Sequence, residues 1–216
     1  MINRKSNTVK NTLKCVLVLG IIAVVCVALL AVANKFLQVE IMLDRATSDM
    51  INSIAPTGLD DEKAFNERYI EMVDLSKGEY AIKSIDDFNE KGSNKKVRAL
   101  YKSKNSSGKI TYVVESEGKG YVDAIVLLIA YDSQKNITGM AVKSQMESFW
   151  DHISDINTVY GAFIGTSASA THTSSQIAAS TGVTVKKTLA GITDGVNVAN
   201  EFVLALGDLP DAEGRA

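Results

Sequence analysis

The chain has 216 residues, a formal net charge of -2 and two cysteines. That balance excludes a global electrostatic case for nucleic-acid binding. Cys15 and Cys26 share one apolar run, and His152 and His172 are the only histidines, so neither a disulfide scaffold nor a Cys- or His-built zinc centre is available to the rest of the chain.

Cys15 to Ala33 carries no charge over 19 residues. A helix of that length spans roughly 30 Å of hydrocarbon. Arg4, Lys5, Lys10 and Lys14 precede it without one acid. The positive-inside rule therefore predicts a cytoplasmic N-terminus at 1–14, a single-pass helix in the cell membrane at 15–33, and an extracytoplasmic main domain. Ala31-Val32-Ala33 also fits a signal cleavage site, so removal of the segment after Ala33 stays open. Residues 34–58 read as an amphipathic neck helix and turn, ended by Pro56-Thr57-Gly58. Residues 59–206 form the main domain and 207–216 a flexible tail.

Within the domain, Asp60 to Leu75 is charged and reads as a helix. Tyr80 to Ile85 alternates weakly, as a strand does. Val97 to Tyr101 and Ile110 to Glu115 are rich in β-branched and aromatic residues and predict strands. Tyr121 to Tyr131 is almost continuously apolar, the pattern of a strand covered on both faces. Asp132 to Asn136 is a hairpin loop leading into an alternating strand, Ile137 to Ser144. Trp150, Ile153, Ile156 and Tyr160 recur at helical spacing. Thr166 to Thr184 is rich in Ser, Thr, Ala and Gly, and a loop of this length inside a compact domain is usually functional. Val185 to Leu206 predicts a helix with Leu189, Ile192, Val196, Ala199 and Val203 on one face. The fold class expected is α+β: an N-terminal transmembrane helix, then a small antiparallel sheet packed with helices.

Ser180-Thr181-Gly182-Val183-Thr184 is the segment with the most chemistry. Gly182 can take backbone angles closed to other residues. Small neighbours allow close approach of a phosphate, and Thr184 stands at a helix start, where free N–H groups favour an anion. Lys186 and Lys187 add positive charge. An ordinary turn with Thr184 as a helix cap fits the same residues.

Several segments, taken in order, resemble the flavin-carrying component of Rnf-type ion-translocating electron-transport complexes, the RnfG/NqrC-like family of covalent FMN-binding domains. Leu29 to Asn34 with the following neck, Ile51 to Gly58 (INSIAPTG), Gly118 to Gly139 (GKGYVDAIVLLIAYDSQKNITG), Met140 to Ser148 (MAVKSQMES) and Phe163-Ile164-Gly165 are each similar to the family's pattern. The family's flavin loop reads Ser/Thr-Gly-Ala-Thr-x-Thr/Ser-Ser. Thr181, Gly182, Val183 and Thr184 match its first four positions, with Val183 in place of Ala and lysines 186 and 187 in place of hydroxyl residues. The resemblance implies FMN joined covalently through its phosphate to Thr184, with Ser180, Thr181, Gly182 and Val183 around it. It also implies a flavin transferase for maturation and other membrane subunits of an Rnf-like complex as partners. Ala168 to Ser174 (ASATHTS) keeps the Ala-Thr-x-Thr-Ser of the same loop and makes Thr171 the alternative attachment site.

The function so implied is relay of electrons within a Na⁺- or H⁺-translocating oxidoreductase, with no catalytic acid or base required. Two other readings stay open: a cofactor-free structural or interaction subunit, motivated by the altered positions 183, 186 and 187, and a stand-alone flavin reductase. Glu147, Asp151, His152 and Asp155 form an acidic cluster; on one helix Asp151 and Asp155 would share a face, either as a solvated surface or as a divalent-metal site. Trp150 is either a core anchor or a flank for the flavin ring.

Overall fold

The computed structural model describes residues 16–18, 20, 43–90 and 92–210. Two compact units divide the chain, Met1–Met42 and Leu43–Ala216. In the first, residues 16–18 and 20 are helical and exposed. The transmembrane helix expected at 15–33, and with it the single-pass placement in a cell membrane, is corrected: no helix among the described residues is long and apolar enough to cross a membrane. The rest of 1–42, including Ala33 and the start of the neck, lies outside the described residues, as do 211–216.

The second unit is α+β. Helix α1, Arg45–Ile54, starts at Asp44, whose carboxylate accepts from the Thr47 amide at 2.9 Å. It ends at Ala55, ahead of Pro56. Helix α2, Asp61–Asn66, is capped by Asp60. The expected continuation to Leu75 fails because Arg68 takes a left-handed turn (φ 56°) and the chain enters strand β1, Ile70–Met72. No strand forms at Tyr80 to Ile85: Ser84 caps a short helix instead, α3, Ile85–Phe88. Its hydroxyl satisfies the amides of Asp86 and Asp87, which a weak alternation could not outweigh.

Strands β2 (Lys95–Lys104), β3 (Ile110–Lys119), β4 (Ala124–Tyr131) and β5 (Ile137–Ser144) complete a five-stranded antiparallel sheet in the order β1-β2-β3-β4-β5. The β4–β5 hairpin is closed by Asp132, whose amide donates to the Asn136 carbonyl at 3.1 Å. Both sheet faces are covered, which is why β4 is apolar throughout. Ile125, Leu127, Ile129 and Tyr131 join one core cluster, and Leu128 and Ala130 join another that includes Ile51 of α1.

After β5 come a 3₁₀ turn, Trp150–His152, and helix α4, Ile156–Gly161. The single helix suggested by the spacing of Trp150, Ile153, Ile156 and Tyr160 is therefore two pieces. Asp155 breaks it by capping α4 through the Asn157 amide at 2.9 Å, so Asp151 and Asp155 do not share a helix face. Helix α5, Ser174–Thr181, occupies the middle of the stretch expected to be loop. Thr173 and Gln176 form a reciprocal capping box at its start, and Gly182 ends it at φ 73°.

Helix α6, Lys186–Ala205, lies across the sheet. Leu189, Ile192, Val196, Phe202 and Val203 are fully buried. Its crossing of β3 is backbone against backbone. A Cβ on Gly118 would stand 2.1 Å from the Gly191 carbonyl oxygen and 2.8 Å from the Gly195 nitrogen. Ser116 Oγ donates to the Gly195 carbonyl at 2.8 Å in the same contact.

Candidate functional site

The start of α6 and the β3–β4 turn meet at Glu147. Its carboxylate accepts from the amides of Tyr121 (2.9 Å), Val122 (2.8 Å) and Asp123 (3.4 Å) and from Thr188 Oγ1 (2.5 Å). Glu147 is only 7% exposed. Burial pushes its carboxyl pKa up, but the bonds from Thr188 and the three amides outweigh this and hold it below the ordinary value. The side chain expected to belong to an acidic surface or metal cluster is thus a tie between the turn, the segment after β5 and α6. Asp151 and His152 stay exposed. Among the described residues no group of three or more His, Cys, Asp or Glu converges as a metal site does.

Thr184 is exposed and stands one residue before Val185, the N-cap of α6. Val185 supplies no side-chain cap. The amides of Lys186, Lys187 and Thr188 therefore begin a 20-residue helix without an intrahelical partner. Gly182 is exposed and left-handed. Ser180 and Thr181 are not loop residues: they form the last turn of α5, and their hydroxyls donate to the Ile177 carbonyl at 3.0 and 2.7 Å. Val183 is half-buried against the main core.

Thr171 sits in a different setting. The residue before it is held by Asn200, whose Nδ2 donates to the Ala170 carbonyl at 3.1 Å. The residue after it is held twice by Asn197: the His172 amide donates to Oδ1 at 3.0 Å, and Nδ2 donates to the His172 carbonyl at 2.8 Å. Tyr131 OH, from β4, donates to Asn200 Oδ1 at 2.8 Å and fixes that amide. The His172 ring packs edge-on against Phe163 at 5.0 Å, and burial lowers its pKa. Thr171 itself is exposed between these clamps. A helix follows it closely, because the capping box stabilises α5 as a separate short helix.

Beside the α6 start the surface is apolar and aromatic. Tyr121 is 54% exposed, Val122 50%, Met146 65% and Phe149 49%. Tyr121 and Phe149 are in ring contact at 6.1 Å, and Phe149 meets His152 at 5.6 Å. Lys187 Nζ lies 5.1 Å from the Tyr121 ring centroid, which joins this row to the helix start. Trp150 is half-buried and packs on the main core. Tyr121, Phe149, Asn197 and Asn200 did not stand out as site residues in the sequence. For the two asparagines a signal existed: they lie at i and i+3 beside the apolar stripe of the helix, and a buried amide such as that of Asn200 must find partners. Nothing local marked Tyr121 and Phe149, which are 28 residues apart in sequence and meet only through the fold. A separate cavity of about 400 Å³ is lined by Glu67, Arg68, Tyr69, Glu71, Lys102 and Lys104, and takes no residue from either threonine loop.

Compared with known proteins, the chain matches no protein-family model and no curated sequence at a significant level.

Proposed function

We propose that this protein is a flavin carrier: Thr184 bears FMN through a phosphodiester bond, and the protein relays electrons between partner subunits of an Rnf-like, ion-translocating oxidoreductase complex. The observation that carries this reading is the open start of α6. Three first-turn amides without an intrahelical partner follow directly after the exposed Thr184, and Lys186 and Lys187 stand on the same turn. A phosphate on Thr184 Oγ1 would find both dipole and charge there. The left-handed Gly182 leaves room beside it, since a Cβ at that position would meet nothing within 4 Å. Flavin, when bound, supplies the capacity to take up and release electrons singly. The chain's own residues hold the phosphate, orient the ring and need transfer no proton. A flavin transferase would form the bond from a flavin dinucleotide: Thr184 Oγ1 would attack the flavin-side phosphorus, the pyrophosphate P–O bond would break, the nucleoside monophosphate would leave and the hydroxyl proton would pass to solvent.

Thr171 is the second reading. It is favoured by the clamps of Asn197 and Asn200, which hold an exposed hydroxyl in one place. Against it, the capping box already satisfies the Gln176 and Thr173 amides at the start of α5.

The test is intact mass and peptide mapping of the full chain after co-expression with a flavin transferase. An FMN adduct on the peptide containing Thr184, lost in Thr184→Ala, is the expected result. An adduct on Thr171 keeps the function and moves the site. An unmodified mass favours the cofactor-free interaction subunit.

A further inference from the structure

We infer that Tyr121, Phe149 and His152 form the stacking surface for the flavin ring, with Lys187 beside it. This rests on the flavin-carrier reading and adds to it where the ring lies. Three exposed rings stand in one contact row with their planes 55° and 72° apart, so a flat group can stack on one ring face with the next ring against its edge. The row includes the β3–β4 turn, which Glu147 ties to α6 by four hydrogen bonds, so Tyr121 cannot drift from the helix start. Lys187, the second residue of α6, reaches the Tyr121 ring face. The helix start that suits a phosphate and the ring row that suits a planar aromatic group are therefore one continuous surface. Met146 and Val122 extend its apolar area. FMN has this composition: an anionic phosphate at one end, whether free or linked to Thr184, and a flat, largely apolar ring system at the other.

The experiment titrates free FMN into the full, unflavinylated chain and follows flavin fluorescence. Covalent attachment is scored separately by mass, so failure of the adduct and failure of the surface are distinct results. Binding with quenching is expected, because a phenol in contact with excited flavin quenches it by electron transfer. Tyr121→Ala and Phe149→Ala should each weaken binding about tenfold, the effect of losing one stacked ring. Tyr121→Phe should keep the affinity and restore fluorescence, which a merely structural role for Tyr121 would not produce. Lys104→Ala, in the separate cavity, should change nothing. No saturable quenching, or equal binding by wild type and Tyr121→Ala, would overturn the inference. So would loss of binding in Lys104→Ala, which would move the site to that cavity.

Discussion

Two exposed threonines lie thirteen residues apart, and the fold treats them oppositely. Around Thr171 side chains hold the backbone: Asn197 takes both groups of His172, Asn200 takes the Ala170 carbonyl, and Thr173 caps the helix that follows. Around Thr184 the helix starts uncapped, with two lysines and no side-chain acceptor. The first loop is braced and capped by side chains; the second begins a helix without a side-chain cap. A long helix without a cap leaves amides unmatched, and an anion is their natural complement. Both loops hang on the same element, α6, which gives ways to break them together or apart.

The largest effect is expected from removing their common support. Gly118→Ala puts a Cβ 2.1 Å from the Gly191 carbonyl, where neither backbone can yield. We expect a loss of about 3 kcal/mol or more, read by denaturant unfolding, with both loops released.

Glu147→Gln acts on the Thr184 side alone. It removes a buried carboxylate that accepts four hydrogen bonds and should cost about 2–3 kcal/mol. The wild type carries a pH signature here. Glu147's folded pKa lies below its ordinary 4.5, so the unfolded chain takes up the proton first as acid is added. Its contribution is complete above that ordinary value and is lost as pH falls through the lower folded one. Stability measured against pH should decline less steeply in Glu147→Gln over that acid range.

Asn197→Ala acts on the Thr171 side alone. Losing the paired bonds to His172 should cost about 1–2 kcal/mol. Hydrogen exchange at the His172 amide should rise sharply while FMN attachment at Thr184 is unchanged; loss of the adduct would assign it to Thr171.

The smallest effect sharpens the contrast. Val185→Thr keeps the shape and offers a cap hydroxyl to the α6 start. Thermal unfolding should show a gain of about 0.5–1 kcal/mol, and affinity for free FMN should fall as the amides gain an internal partner. A gain in affinity would mean that the phosphate does not use those amides.

Much of the sheet was legible because its signals are local. Ile110 to Glu115, Tyr121 to Tyr131 and Ile137 to Ser144 alternate or run apolar, and strands form in all three segments. The last helix was legible from its 3.6-residue stripe. Asp60 to Leu75 and Tyr80 to Ile85 were misread because short caps and one left-handed residue, Arg68, outweigh a weak periodicity. Helix α5 was hidden in a Ser/Thr-rich stretch, although Thr173-x-x-Gln176 is a capping-box pattern. The transmembrane helix expected at 15–33 has no counterpart among the described residues.

The sequence by itself determined the α+β class, the strands of the β3–β4–β5 meander, the long C-terminal helix and the two threonine loops as places to look. Those follow from periodicity and turn chemistry, which act over a few residues. Only the tertiary structure decided that Glu147 is a tie rather than a surface acid, that Asn197 and Asn200 serve the Thr171 loop, and that Tyr121, Phe149 and His152 line up beside Lys187. The reason is that these are contacts between segments distant in the chain. They depend on where a glycine-to-glycine crossing lets α6 settle on β3, and no local pattern encodes that distance.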